Sequence, residues 1–166
     1  GSVISSVLRN SPSTKIIAFE AVPEKVENLR RKFPSVDLHG CAVGNLSGEV
    51  SFFINLKRSG YSSLARPPHA SKTTVTEIRV PIRKLDDLIP SDQVDVMKID
   101  VEGAELGVLQ GGEALILKSR PTIMFESAIL STEESREYTK EAMWEWLNEH
   151  DYRVLVPNRV AHIDSG

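Results

Sequence analysis

The sequence has 166 residues, 40% of them hydrophobic, and a formal net charge of −3, which suits one domain with a sizeable core. Lysines and arginines are scattered apart from the cluster Arg30-Arg31-Lys32, so no nucleic-acid partner is expected. No apolar run approaches the roughly 18 residues of a membrane span, so no membrane partner is expected either. The single cysteine, Cys41, excludes an internal disulfide and fits a cytoplasmic protein. The histidines show no metal-ligand spacing, so no metal site is predicted.

Helices and apolar strands alternate in the first third of the chain. The spacing of apolar residues predicts a helix over 3–10, a strand over 15–20, a helix over 23–33 and a strand over 36–43. The run Ile16-Ile17-Ala18-Phe19 is apolar throughout, which is typical of a buried parallel strand. Pro23 stands where the second helix would begin, a position that proline favours.

The middle of the chain departs from this order. Residues 48–56 and 75–82 alternate between apolar and polar side chains, which predicts two half-exposed strands. We expect them to pair antiparallel as an insertion at the sheet edge, a place that tolerates Pro81. The polar stretch 57–74 between them predicts a long loop, and such loops commonly serve as lids or binding loops.

The rest of the chain returns to alternating elements. The predicted elements are a helix over 85–88, a buried central strand over 94–100, a helix over 103–118 interrupted at Gly111-Gly112, a strand over 121–126, a helix over 133–150, and short strands over 153–156 and 160–163. The sequence therefore predicts the α/β class, with a doubly wound, mostly parallel Rossmann-like sheet, helices on both faces and an antiparallel edge insertion.

Acidic residues follow three of the apolar strands. Glu20, Asp100 and Glu126 stand at the carboxyl ends of their strands, which meet at one edge of a parallel sheet, where such sheets bind ligands. Near Asp100 the chain passes through Glu102 and Gly103 into a helix. An acid at such a position can accept hydrogen bonds from a ribose diol, but it can equally cap a helix and complement its dipole. The residues alone leave both interpretations open.

Several segments, in matching order, resemble those of the FkbM-like methyltransferases, which use S-adenosylmethionine. The segments are residues 17–23 ("IAFEPxP" in the family), 42–44 ("A-L/V-G"), 59–64 (a Gly/Ser loop), 85–88 ("TLDDL"), 98–105 ("KIDVEGAE") and 120–126 ("RPxxxFE"). The segment at 98–105 is the most specific, because it matches the family's motif almost completely.

The resemblance implies how the donor would be bound. Glu20 would hold the ribose hydroxyls of S-adenosylmethionine, with Ala21 beside it and with Ala42 and Val43 near the adenine. Asp100 would face the donor and orient either the donor or the acceptor, which makes it a cofactor-binding and a catalytic candidate.

The resemblance also implies candidates for the reaction itself. Glu102 is the first candidate for a general base or an acceptor contact, and His69 is the second, although a surface histidine with no role in catalysis explains His69 too. Ser62, Ser63 and Glu126 are candidate contacts to the acceptor, while turn chemistry explains the two serines equally well. The implied function is methylation, O-directed, of a small-molecule or glycan acceptor. The alternative is a non-catalytic fragment or degenerate member that acts as a protein-interaction domain.

One part of the family's pattern is absent from these residues. The family begins with a strand and a glycine loop, "DVGAN-G", so we expect residues 1–166 to form a single methyltransferase-like domain truncated at its N-terminus and binding the donor weakly. In the family's fold this strand would lie between the strands that end at Glu20 and Asp100. Without it, the edges of those two strands would be unpaired. We expect those strands to pair directly, to take up a strand of another chain, which would give a homo-oligomer through the sheet edge, or to pair with the absent segment.

Overall fold

Short strands and helices alternate along most of the chain. The computed structural model describes residues 1–55, 64, 75–90, 93–101, 103–125 and 139–155. The described helices are α1 (Ser2–Asn10), α2 (Pro23–Lys32), α3 (Leu85–Leu88), α4 (Glu105–Gly111), α5 (Glu113–Ser119) and α6 (Lys140–Glu149). The described strands are β1 (Ile17–Phe19), β2 (Asp37–His39), β3 (Ala42–Val43), β4 (Gly48–Asn55), β5 (Val75–Arg83), β6 (Val96–Ile99) and β7 (Thr122–Phe125). None of the described helices is long and apolar enough to cross a membrane.

The described strands form three sheets. β1 pairs parallel with β2, and β6 pairs parallel with β7. In the third sheet β5 lies between β3, which is parallel to it, and β4, which is antiparallel. The α/β class and the antiparallel insertion are confirmed. Direct pairing of the strands that end at Glu20 and Asp100 is wrong, since β1 and β6 lie in separate sheets. One continuous doubly wound sheet stays a prediction.

The predicted strand over 36–43 is wrong as a single element. It divides at Gly40-Cys41 into β2 and β3. The ladder with β1 ends where the Glu20 N–H donates to the His39 carbonyl at 3.1 Å, and Ala42 then pairs with Ile82 of β5. The chain changes partner because β5 of the β4–β5 hairpin offers a second strand edge with which β3 pairs. The apolar pattern of residues 36–43 does not reveal this distant partner.

The main core lies against one face of the β6–β7 sheet. Residues of α3, α4, α5 and α6 pack there in one cluster with Met97, Ile99, Ile123 and Phe125. On the opposite face Val96 is 61% and Met124 57% exposed. The central strand was predicted to be buried. This is wrong for the Val96 face of β6, because the described helices of the main core pack only on the Met97 and Ile99 face.

The Leu85-Asp86-Asp87-Leu88 segment caps a neighbouring helix. Gly112, the residue before α5, has no side chain to accept hydrogen bonds from the first turn. The Asp86 carboxylate does so instead, accepting from the Ala114 N–H at 3.0 Å and the Leu115 N–H at 2.8 Å. This motif therefore has a structural role that joins α3 to α5.

We expect Asp86→Ala to lower the free energy of unfolding by about 1–2 kcal/mol, the usual range for loss of a helix cap. Two backbone donors lose their acceptor, although water can reach them because the bonds are near the surface. Urea denaturation followed by circular dichroism measures the change. Asp86→Asn keeps one acceptor oxygen and should lose about half as much; equal stability of all three proteins would contradict the capping role.

Arg120 joins the end of α5 to the end of α6. It ends α5 in the left-handed conformation, with φ of 50°. Its guanidinium donates to the carbonyl of His150 at 2.6 Å and to that of Asp151 at 3.1 Å. The same group lies 4.6 Å from the centre of the Tyr152 ring, a cation–π geometry. This part of the "RPxxxFE" segment therefore stabilises the fold.

The last predicted helix begins later than its periodicity indicated. Thr139 is the residue before α6, and its hydroxyl accepts from the Ala142 N–H at 3.2 Å. The prediction of one continuous helix over 133–150 is therefore wrong at Thr139, which is not helical. The strand predicted over 153–156 is wrong for residues 153–155, which form no strand. Residues 126–138 and 156–166, with the strand predicted over 160–163, lie outside the described residues.

Candidate functional site

Glu20 stands directly after β1, at the edge where ligand binding was predicted. Its Oε1 atom accepts a hydrogen bond from the Val22 N–H at 2.9 Å, immediately before α2 begins at Pro23. This contact supports the capping interpretation of Glu20. It also fixes the orientation of the side chain. Within the described part of the chain no hydrogen bond is made to Oε2, so capping and ribose binding are compatible.

Asp100 stands directly after β6, and its carboxylate is paired with a lysine. Lys98 Nζ lies 2.6 Å from Asp100 Oδ2, and 46% of the Asp100 side chain is exposed. Side chains two residues apart point to the same side of an extended chain, which makes this contact local. Lys98 was not among the site residues predicted from the sequence, although its spacing from Asp100 was a usable signal.

The turn between β6 and α4 is shaped by Gly103 and Glu105. Gly103 has a φ of 103°, a conformation that residues with a Cβ rarely adopt. Its N–H donates to Glu105 Oε1 at 3.1 Å, and Glu105 is only 3% exposed. Such local bonding fixes the path of the chain from Gly103 into α4.

The other predicted cofactor contacts are buried. Ala21 and Ala42 lie in one hydrophobic cluster with Val80 and Ile82, and Val43 belongs to the main core. The structure therefore brings Ala21 and Ala42 together through packing. Contact of these residues with a cofactor stays a prediction.

Five predicted site residues lie outside the described residues. They are Ser62, Ser63, His69, Glu102 and Glu126. Their roles stay predictions. Within the described ranges no three His, Cys, Asp or Glu side chains converge as metal ligands.

His39 and Cys41 lie close to the end of β2. The His39 ring stacks on Phe19 with centroids 5.1 Å apart, and its Nε2 lies 3.4 Å from Asp37 Oδ1. Burial raises the pKa of the Cys41 thiol, an effect that the positive charge of Arg83 partly opposes. The thiol is therefore protonated at neutral pH and is a poor nucleophile.

A cavity of about 380 Å³ lies beside the β6–α4 turn. The β4–β5 hairpin supplies Glu49, Ser51 and Arg79, and the beginning of the α4 region supplies Ala104 and Gly107. Leu46, Val50, Leu64 and Ile82 add an apolar part to the lining. Apolar walls with a few charged and polar groups are typical of small-molecule sites. This cavity was not predicted from the sequence, because it depends on how the hairpin packs against α4.

The comparisons identify the family. Residues 1–154 match the model described as the methyltransferase FkbM domain. The chain belongs to the FkbM methyltransferase domain family. The methyltransferase FkbM from Methylobacillus flagellatus KT has a similar fold, with a TM-score of 0.52 and 18% sequence identity over 75% of this chain. The matched region spans 29% of that FkbM chain, and no curated protein matches the present one.

Proposed function

We propose that this FkbM domain takes part in transferring a methyl group from S-adenosylmethionine to a hydroxyl group of a small molecule or glycan. The family match over residues 1–154 carries the proposal. The arrangement at the carboxyl ends of β1 and β6 supports it, because an acid stands at each end and open α/β sheets bind nucleotides there. The donor would supply a sulfonium methyl group with a good leaving group.

The acidic residues that follow β1 and β6 have the chemistry to bind a nucleoside. Glu20 is held by the Val22 N–H through one oxygen, so its second oxygen can accept from the ribose hydroxyls. Asp100 is partly exposed and neutralised by Lys98, which lets it orient a polar group without leaving an isolated negative charge. We propose that Lys98 positions the Asp100 carboxylate.

Methyl transfer depends mainly on alignment of donor and acceptor. The acceptor hydroxyl must also lose a proton, and we assign that role to the Glu102 carboxylate, two residues after Asp100. The cavity beside Ala104 is the proposed acceptor site. Its Arg79 and Glu49 side chains can donate to and accept from the hydroxyls of a glycan or another polar small molecule.

We expect Glu20→Ala to weaken S-adenosylmethionine binding by about 10- to 150-fold, because a hydrogen bond to a charged group contributes about 1.5–3 kcal/mol. Equilibrium dialysis with labelled donor measures the change. Glu24→Ala is the matched control, since Glu24 is exposed in the first turn of α2. Equal binding by Glu20→Ala and the wild type would remove Glu20 from the site, and no donor binding by any protein would favour the non-catalytic alternative.

A further inference from the structure

The cavity beside the β6–α4 turn is lined by three polar side chains for which the described fold supplies no partner. Glu49, Ser51 and Arg79 line it, and none of the three side chains makes a hydrogen bond or ion pair among the residues that the structure describes. Asn45 also lines the cavity, but its amide donates to Gln110 Oε1 at 2.9 Å and so joins the segment after β3 to α4. The first three groups are therefore available to a ligand.

The pairing of β4 with β5 places these three groups on one face of the hairpin. Ser51 is aligned with Arg79 across the two strands. Glu49 lies two residues before Ser51, so its side chain projects to the same side. Diagonal positions such as those of Glu49 and Arg79 are about 7–8 Å apart. That separation leaves room for a group of a ligand between the two charges.

A second arginine of β5 shows what the fold does with such a side chain when it uses one. The Arg83 guanidinium donates to the carbonyl of Gly48 at 3.1 Å and to that of Ile82 at 3.0 Å. Arg79 lies four residues earlier on the same face of the strand and has no such acceptor in the described part of the chain. A guanidinium only donates, so a ligand for Arg79 must supply acceptor oxygens. The planar fork matches a carboxylate best, through two parallel hydrogen bonds.

The charges of the lining favour a ligand with one negative charge. Among the described lining residues Arg79 contributes one positive charge and Glu49 one negative charge. A phosphate carries up to about two negative charges and would lie beside the Glu49 carboxylate, which repels it. A carboxylate adds only one negative charge. Glu49 itself can accept hydrogen bonds from hydroxyl groups, so the ligand that satisfies both residues is a hydroxy acid.

The size of the cavity limits the size of that acid. The cavity encloses about 380 Å³, which is near the lower end of the range of about 300–1,000 Å³ for ligand pockets. Leu46, Val50 and Ile82 form part of its lining, and the C–H groups of a sugar ring can pack against them. These features suit one sugar unit better than a long oligosaccharide.

We propose that this cavity selects a hydroxy acid of the size of one sugar, such as a uronic acid, and that Arg79 determines the selectivity. The Arg79 guanidinium would bind the carboxylate of the ligand, and Glu49 would accept from one of its hydroxyls. That this ligand is the methyl acceptor rests on the proposed function. The preference for an acid is a property of the cavity, so it can be measured without the methyl donor.

The test compares D-glucuronate with D-glucose, which differ only in a carboxylate or a hydroxymethyl group at C6. Each is titrated into the whole chain without donor in low-salt buffer, because salt screens exposed charges, and NMR follows the amide shifts. We expect glucuronate to bind at least about tenfold more tightly, the factor for one hydrogen bond to a charged group. The amides of Ser51 and Arg79 should shift. Glucose 6-phosphate should bind more weakly than glucuronate.

Arg79→Gln keeps a polar side chain but removes the charge, and it should abolish the preference for glucuronate over glucose. Arg9→Gln is the matched control, because Arg9 is exposed in the last turn of α1, and it should keep the preference. Equal binding of glucuronate and glucose by the wild type would overturn the proposal. Binding of none of the three sugars, tighter binding of the phosphate, or an unchanged preference in Arg79→Gln would also overturn it.

The outcomes separate this inference from the proposed function. A wild type that prefers glucuronate but binds no S-adenosylmethionine would uphold the acid-selective cavity and contradict methyl transfer. A wild type that binds the donor but shows no preference for glucuronate would overturn the acid-selective cavity and leave methyl transfer to a different class of acceptor.

Discussion

Replacing Gly111 with alanine should lower the free energy of unfolding by about 3 kcal/mol, at the upper end of the range for overpacking. A Cβ at this position would lie 1.9 Å from the Gly44 carbonyl oxygen and 2.7 Å from the Gly44 carbonyl carbon. Both atoms belong to the backbone and cannot rotate away. The whole of α4 would have to move away from β3. The close contact of Gly111 with Gly44 therefore links the "A-L/V-G" segment to the glycine pair that interrupts the helix.

Urea denaturation of the wild type and Gly111→Ala measures this effect. Gly48→Ala is the matched control, because a Cβ at Gly48 meets no atom within 4 Å. We expect the control to change stability by less than about 0.5 kcal/mol, as surface substitutions usually do. A Gly111→Ala protein as stable as the control would mean that α4 and β3 are further apart than the structure shows.

The second large effect concerns catalysis. Glu102→Gln should slow methyl transfer by about 10²- to 10⁴-fold, the usual contribution of a general base, while donor affinity stays unchanged. Glutamine keeps the shape of the side chain but cannot take the acceptor's proton. The turn itself should be preserved, because its described bond joins the Gly103 N–H to Glu105.

Formation of labelled product from any hydroxyl acceptor that the wild type methylates measures this loss, and equilibrium dialysis measures donor affinity. Glu24→Gln removes the same charge from an exposed position on α2 and should keep full turnover. A turnover rate of Glu102→Gln within about threefold of the wild-type rate would show that Glu102 is not the base, because loss of a general base has a much larger effect.

Local periodicity and capping signals were enough to predict much of the fold. Helices α1 and α2, the hairpin of β4 and β5, and the break at Gly111-Gly112 all follow from side-chain spacing and from glycine and proline. Each of these signals lies within the segment that it shapes.

Other features depend on contacts between distant segments. The division into β2 and β3 requires the edge of β5, and the role of Arg120 requires the carbonyls of His150 and Asp151. Hydrophobic periodicity carries no information about these partners. The start of α6 after Thr139 is different. Threonine is a known helix cap, so the signal was present in the sequence, but the apolar pattern continued beyond it.

Motif residues can preserve a fold as well as a reaction. Asp86 caps α5, and Gly103 with Glu105 shapes the turn after β6. Within the "KIDVEGAE" segment, Lys98 pairs with Asp100. A match to these motifs therefore identifies the family, while a chemical role for an exposed residue such as Asp100 stays a prediction.

Donor binding tests the central proposal most directly. Saturation-transfer NMR of the protein with S-adenosylmethionine, S-adenosylhomocysteine and, separately, NAD detects even weak complexes and compares ligands that share a ribose diol. We expect transfer to the ribose and adenine protons of the first two ligands, no transfer to NAD, and loss of the signal in Glu20→Ala but not in Glu24→Ala. Equal signals for all three ligands, or an undiminished signal in Glu20→Ala, would contradict a methyl-donor site at the carboxyl end of β1.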